Sequence, residues 1–159
     1  MWILAASGTL LHFLFNRQYG FFRDELYYAA CGEHLSWGYV DHSPLAPWIA
    51  HVSRAMLGDS LSALRFFPAL ASAAKIFLGG WIAREVGGNK FAQAFAAFIV
   101  LCAPIYLTFD NFFSMNSFEP VFWMACAAIA LLPMTSLWML ARSSGIREIN
   151  RIPCSGCGI

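Results

Sequence analysis

Long apolar runs dominate the chain, and the polar residues between them set out its organisation. The opening run, 1–15, is broken only by Ser7, Thr9 and His12. It falls short of the ~20 residues a helix needs to cross the hydrocarbon core. It also lacks the basic start of a cleaved signal peptide, which predicts a retained anchor. Three further runs, at about 61–82, 91–109 and 120–140, read as spans, and the 91–109 run carries no charge. Together these runs predict an all-α integral membrane protein of four spans, with a polar, aromatic-rich loop at 16–60. Inside that loop, Ser43-Pro44 reads as a helix cap with proline at the first helical position. Leu45, Trp48, Ile49, Val52 and Met56 then recur at helical spacing, with His51, Ser53 and Arg54 elsewhere around the turn. This pattern predicts an amphipathic helix lying in the membrane interface, Trp48 at headgroup level, ended by Gly58-Asp59-Ser60. The connector 83–90 is a tight, glycine-rich turn. Pro133, followed by Thr135 and Ser136, either kinks the last span or stops it.

Composition supports the membrane assignment: 59% of residues are hydrophobic, 12% are charged, and the mean hydropathy is +0.59. A net charge of +1 with no concentrated basic face excludes a nucleic-acid partner. Cys102 and Cys126 lie within apolar runs and read as small packed hydrophobes. Cys154 and Cys157 form one C-x-x-C without the second ligand pair a zinc site needs, so neither a metal nor a disulfide framework is expected, nor any other cofactor.

Charge sets the expected orientation. The connector holding Arg84 and Lys90 and the tail holding Arg142, Arg147 and Arg151 are basic. The segment from Asn16 to Arg65 has four arginines against five carboxylates. Basic flanks stay inside, so both termini are expected inside and the 16–60 loop outside.

Three polar groups return to that outer face and carry the candidate chemistry. Arg23-Asp24-Glu25 lies among Tyr19, Phe21, Phe22, Tyr27 and Tyr28. It reads either as a general base beside a partly dry pocket or as a solvated loop with an ion pair. Asp41-His42-Ser43-Pro44 lies just before the interfacial helix. Asp110-Asn111 is followed by Ser114-Met115-Asn116-Ser117-Phe118-Glu119-Pro120. There Ser117 or Asn116 can cap the next helix, and Glu119 suits its first turn. Asp110, at the end of a span, needs a cavity, water or a partner. Lys75, inside the second span, either snorkels to the surface or meets an internal partner. His34 and His51 have no ligand-like spacing to an acid.

Four stretches, 19–28, 37–45, 58–60 and 114–120, in this order resemble the start of family 39 glycosyltransferases, relatives of the protein O-mannosyltransferases and lipid A aminoarabinose transferases. The resemblance covers roughly residues 8–130. It implies a GT-C architecture, with many transmembrane helices and a first outer loop that carries interfacial helices and the catalytic carboxylate. It implies transfer of a sugar, with inversion, from a polyprenyl-phosphate donor to a lipid or protein acceptor on the outer, periplasmic face of the cell inner membrane. Asp24 matches the proposed base, with Arg23 and Glu25 beside it as substrate-binding positions. Asp41 and His42 match the loop pair near donor phosphate and acceptor, and Asp110, Asn116 and Glu119 match further outer-face polar positions.

The chain departs from the family pattern in two ways. Ser43 stands where many relatives have a second proline. The apolar continuation of the much longer relatives is missing from about Pro133 onward. Residues 1–132 are therefore expected to be the N-terminal transmembrane part of such an enzyme. Residues 133–159 are expected to be a divergent tail from truncation or a shifted frame, and transfer by this chain alone is expected to be weak. Other function classes fit some of the same residues: a small transporter or channel subunit with Asp110, Glu119 and Lys75 along a polar path, or an inactive membrane protein that binds a partner through its loop. Most carboxylates lie in the outer loop rather than at mid-membrane, which favours transfer chemistry.

Overall fold

A computed structural model describes residues 2–16, 18 and 20–149. Arg17, Tyr19, and the C-x-x-C pair Cys154 and Cys157 lie outside the described residues. Every regular element among the described residues is helical: α1 (Trp2–Phe15), α2 (Arg23–Glu33), α3 (Leu45–Leu57), α4 (Leu61–Leu64), α5 (Phe66–Glu85), α6 (Lys90–Cys102), α7 (Pro104–Phe109) and α8 (Met115–Ile149). Two stretches are long and apolar enough to cross a membrane, Leu61–Glu85 and Met115–Leu137, while Trp2–Phe15 and Lys90–Cys102 are shorter apolar helices.

The middle of the bundle is α5, against which α1, α6 and α8 all pack. Small residues permit this: a Cβ on Gly8 of α1 would collide with the Ile76 side chain of α5. The turn after α5 needs glycine for a different reason, since Gly87 takes φ +95°, and Gly88 N–H then bonds back to Ala83 O at 2.8 Å. Asn89 accepts from Ala92 N–H at 2.9 Å and caps α6.

Three local features depart from the expected elements. The charge-free run 91–109 is two helices, because Ala103 is extended ahead of Pro104 and Pro104 opens α7. Helix α3 starts one residue later than expected: Pro44 is its N-cap, and no side chain caps it. Helix α8 neither starts at Pro120 nor stops at Pro133, but runs through both. The hydroxyls that follow Pro133 turn back on the preceding turn, Thr135 onto Leu132 O and Ser136 onto Pro133 O.

Helix α3 turns its small residues, Ala46, Ala50 and Ser53, inward, and Ser53 donates to Ala63 O at 2.6 Å. Leu45, Trp48, Val52 and Met56 stay exposed. A helix that buries its small residues and exposes its large apolar ones has the outward face that lipid, not water, accommodates. The largest buried cluster among the described residues joins α2, α3, α4, α5, the connector after α7 and the start of α8 through Tyr28, Ala46, Ala50, Leu64, Ala71, Phe113 and Phe118.

Candidate active site

Helix α2 begins in the first outer acidic group. Phe22 is its N-cap, and the Glu25 carboxylate accepts the Phe22 N–H at 2.8 Å, which satisfies one of the open donors at the helix start. Glu25 is fully buried. Arg65 grips it with both prongs, Nε to Oε1 at 2.6 Å and Nη2 to Oε2 at 2.7 Å, and Phe113 N–H adds a third contact at 2.9 Å. Arg65 also donates to Asn16 O and Gly20 O at 2.6 and 2.9 Å. This carboxylate is therefore committed to protein donors from three parts of the chain, whereas the resemblance sets it beside substrate. In the sequence Arg65 is one charge among those of the outer segment, and no local pattern marks it as a partner of Glu25. The available signal was a single arginine at the head of an apolar run.

One residue earlier the environment reverses. Asp24 keeps 38% of its side chain exposed and, among the described residues, pairs with Arg23 at 3.5 Å, which itself stands out in solvent. Successive residues on a helix point about 100° apart, so Glu25 faces the core while Asp24 shares a face with Tyr28, one turn on. Burial, first, and the charges of Asp24 and Asp41 raise the Tyr28 phenol above its ordinary pKa, against a lowering influence of the Met115 backbone at the start of α8.

The second group folds onto the same helix. Tyr27 donates to Asp41 Oδ1 at 2.9 Å, and that bond, more than burial, pushes the phenol up to about 12. The His42 ring is enclosed by Tyr27, Tyr28 and Tyr39, with centroids 5.3, 5.0 and 4.8 Å away. Tyr39 in turn donates to the carbonyls of Cys31 and His34, at 3.0 and 2.9 Å, and ties the loop to the end of α2. His42 Nδ1 lies 3.2 Å from Ser43 O, a group that only accepts, so this nitrogen carries the proton. Nε2 is left buried without a protein partner.

The third group lies at the start of α8. A cavity of about 200 Å³ between the starts of α3 and α8 is lined by Ser43, Leu45, Ala46, Met115, Phe118 and Glu119. Glu119 Oε1 accepts from Trp123 Nε1 at 3.3 Å. Asn116 is half-buried, and its N–H is taken by Ser114 Oγ at 3.3 Å. Ser114 is thus the capping hydroxyl, while Ser117 bonds to Phe109 O at 2.7 Å instead.

Asp41 and His42 accordingly fold onto Tyr27 and Tyr28 of α2, whose first turn carries Asp24, while Glu119 lines the cavity beside Ser43 and Asn116 lies next to Met115 in the first turn of α8. Arg23 points away, Glu25 is locked inside, and Asp110 is drawn into a buried pair with Lys75. Lys75 has an internal partner and does not snorkel. Gly58-Asp59-Ser60 forms a corner: Gly58 takes φ +84°, Asp59 pairs with Arg54, and Ser60 caps α4. Arg54 also reaches Glu33 at 3.0 Å. Among the described residues no group of three His, Cys, Asp or Glu side chains is placed to hold a metal ion.

The sequence model of one family, dolichyl-phosphate-mannose-protein mannosyltransferase, matches residues 27–145. The chain belongs to this mannosyltransferase family. No curated protein and no solved structure matches it. The stretch shared with the mannosyltransferases takes in Tyr27, Tyr28, Asp41, His42 and the start of α8, and Asp24 lies just ahead of it. The family, together with helices apolar enough to cross a membrane, makes the protein a membrane glycosyltransferase.

Proposed function

We propose that this protein transfers mannose from a polyprenyl-phosphate carrier to a hydroxyl of a protein or lipid acceptor, on the outer face of a membrane that it crosses several times. The observation that carries the reading is His42. Its Nε2 is buried without a partner among the described residues, inside a cage of three tyrosines and next to Asp41 in the chain. A buried polar atom left unpaired costs free energy, and a ligand that completes it recovers that cost.

In the proposed reaction the acceptor hydroxyl gives its proton to the Asp24 carboxylate, and its oxygen attacks the anomeric carbon. The bond from that carbon to the phosphate oxygen breaks, and the polyprenyl phosphate departs with the electron pair. Configuration inverts because attack and departure lie on opposite faces. His42, with Asp41 beside it, accepts a hydrogen bond from a mannose hydroxyl of the donor at its open Nε2. Asn116 and Glu119 face the sugar from the wall of α8. Residues 1–132 supply this machinery, and the exposed apolar face of α3 keeps it at the level of the carrier's headgroup.

A photoactivatable polyprenyl-phosphate-mannose analogue tests the donor site without requiring turnover. Capture by the protein in lipid bilayers, competed by unlabelled donor, should drop at least tenfold in His42→Ala. Undiminished capture in His42→Ala and in Asp41→Asn would remove the donor from this loop.

A further inference from the structure

Lys75 and Asp110 are both fully buried, they bond to each other, and neither has a part in the transfer chemistry. A charge pair inside an apolar bundle is weak support for stability, because the desolvation of two ions offsets most of their attraction. The geometry gives this pair a different use. The Lys75 ammonium leaves α5 and gathers three groups from one stretch of chain. They are the Asp110 carboxylate at the end of α7, Ser117 O in the first turn of α8 at 3.2 Å, and the Tyr106 ring, 4.6 Å to its centroid. Ser117 Oγ closes the loop onto Phe109 O. Both ends of the connector 110–114 are thereby fixed to one point on α5.

The middle of that connector carries the contacts to the site. Phe113 is buried against Tyr28 and Phe118, with ring centroids 5.8 and 5.6 Å away, and its N–H meets the Glu25 carboxylate. Phe113 thus touches α2, which carries Asp24, on one side and the start of α8, which carries Asn116 and Glu119, on the other, while α3 packs into the same cluster through Ala46 and Ala50. The connector is therefore one of the two links that set the distance across the site, and Lys75 holds the connector.

We infer that Lys75 and Asp110 are a positioning pair, which holds the 110–114 connector so that Tyr28 and Asp24 on α2 face Asn116 and Glu119 on α8. The catalytic consequence rests on the transfer reaction proposed above, while the positioning itself does not. A displacement of about 1 Å produced by a change remote from the chemistry costs on the order of 10²-fold in rate.

The test separates position from stability with the double variant Lys75→Met/Asp110→Leu in the full chain, in lipid bilayers. Replacing a buried ion pair by apolar side chains leaves folding intact or improves it. The single variant Asp110→Asn, which strands a buried charge, serves as the comparison. Tyrosines are labelled as meta-fluorotyrosine, and the Tyr28 resonance is assigned from Tyr28→Phe. The expected result is a double variant that melts at or above the unmodified protein yet shows a displaced or broadened Tyr28 fluorine signal, with the Tyr39 signal unmoved. Mannose transfer, where measured, should fall on the order of 10²-fold in kcat at unchanged donor KM. A Tyr28 signal at its original position in the folded double variant overturns the inference, whatever the transfer assay reads. A displaced Tyr28 signal with transfer unaffected keeps the positioning but overturns its link to the reaction.

Discussion

Arg65 and Glu25, 40 positions apart, form a buried two-pronged ion pair at the top of the bundle, at 2.6 and 2.7 Å. The pair joins the head of α5 to the first turn of α2. Because Phe22 N–H and Phe113 N–H take the same carboxylate, its lone pairs are filled from within the protein. The two adjacent acids of Asp24-Glu25 thus have opposite fates: one is part of the framework, and the other is held at a partly open surface.

Removing either half of the pair strands the other. Glu25→Gln and Arg65→Met are each expected to cost about 3–5 kcal/mol of stability. Asp24→Asn, at a solvent-screened ion pair, is expected to cost under about 1 kcal/mol. Thermal unfolding in detergent, followed by helical circular dichroism, checks the order. Equal losses at positions 24 and 25 would contradict the division of roles.

Tyr27 gives a spectroscopic handle on the contact between α2 and the Asp41 loop. Its phenol should ionise at about 12 rather than near the ordinary ~10. Asp41→Ala should bring it back, since the bond to Asp41 is the largest cause. The folded pKa is raised, so the stability this bond contributes is present below about pH 10 and is lost as pH climbs through 12. Ultraviolet titration of phenolate, read against Tyr27→Phe, measures it. An ordinary ionisation in the intact protein would separate Asp41 from α2.

Much of the scaffold was legible in sequence because burial in a bilayer leaves long uniform runs, and because an interfacial helix repeats at 3.6 residues. Leu45, Trp48, Val52 and Met56 announced α3 in this way. Helix α2 was hidden because Arg23–Glu33 shows no apolar stripe. It is held by one buried carboxylate and by small contacts with α3, such as Gly32 against Pro47 O. The break at Pro104 was visible only as a proline inside an apolar run, where the run's hydropathy outweighed it. In the site, Asp24, Asp41 and His42 stood out as residue types. Their convergence depends on Tyr27, Tyr28 and Tyr39, whose long-range contacts have no local pattern. The pairing of Lys75 with Asp110 was illegible for the same reason, because partners 35 positions apart leave no periodic trace.

The proposed topology, four spans with both termini inside, is open to direct measurement. Single cysteines at Ser60 and Asn89, in a background freed of the five native cysteines, should differ in reach from outside intact cells. Position 60 should react with an impermeant maleimide and position 89 should not. Labelling of position 89 from outside would invert the orientation and take the candidate site away from the outer face.

The assignment of Asp24 as general base yields the sharpest kinetic expectation. Its carboxylate is partly exposed and sits one turn from Tyr28 on α2, whose ring lies 5.0 Å from that of His42. Asparagine keeps the shape and loses the proton acceptor. General-base catalysis is typically worth ~10²–10⁴ in rate, so Asp24→Asn should lower kcat by about that factor while donor binding and expression hold. Glu25→Gln should act differently: its activity should follow the folded fraction, because its neighbour's position depends on the Arg65 pair. If Asp24→Asn turns over near normally and Asp41→Asn is dead in kcat with donor still bound, the base belongs to the loop. Asp24 would then be a first-turn carboxylate whose role ends with the positive end of helix α2.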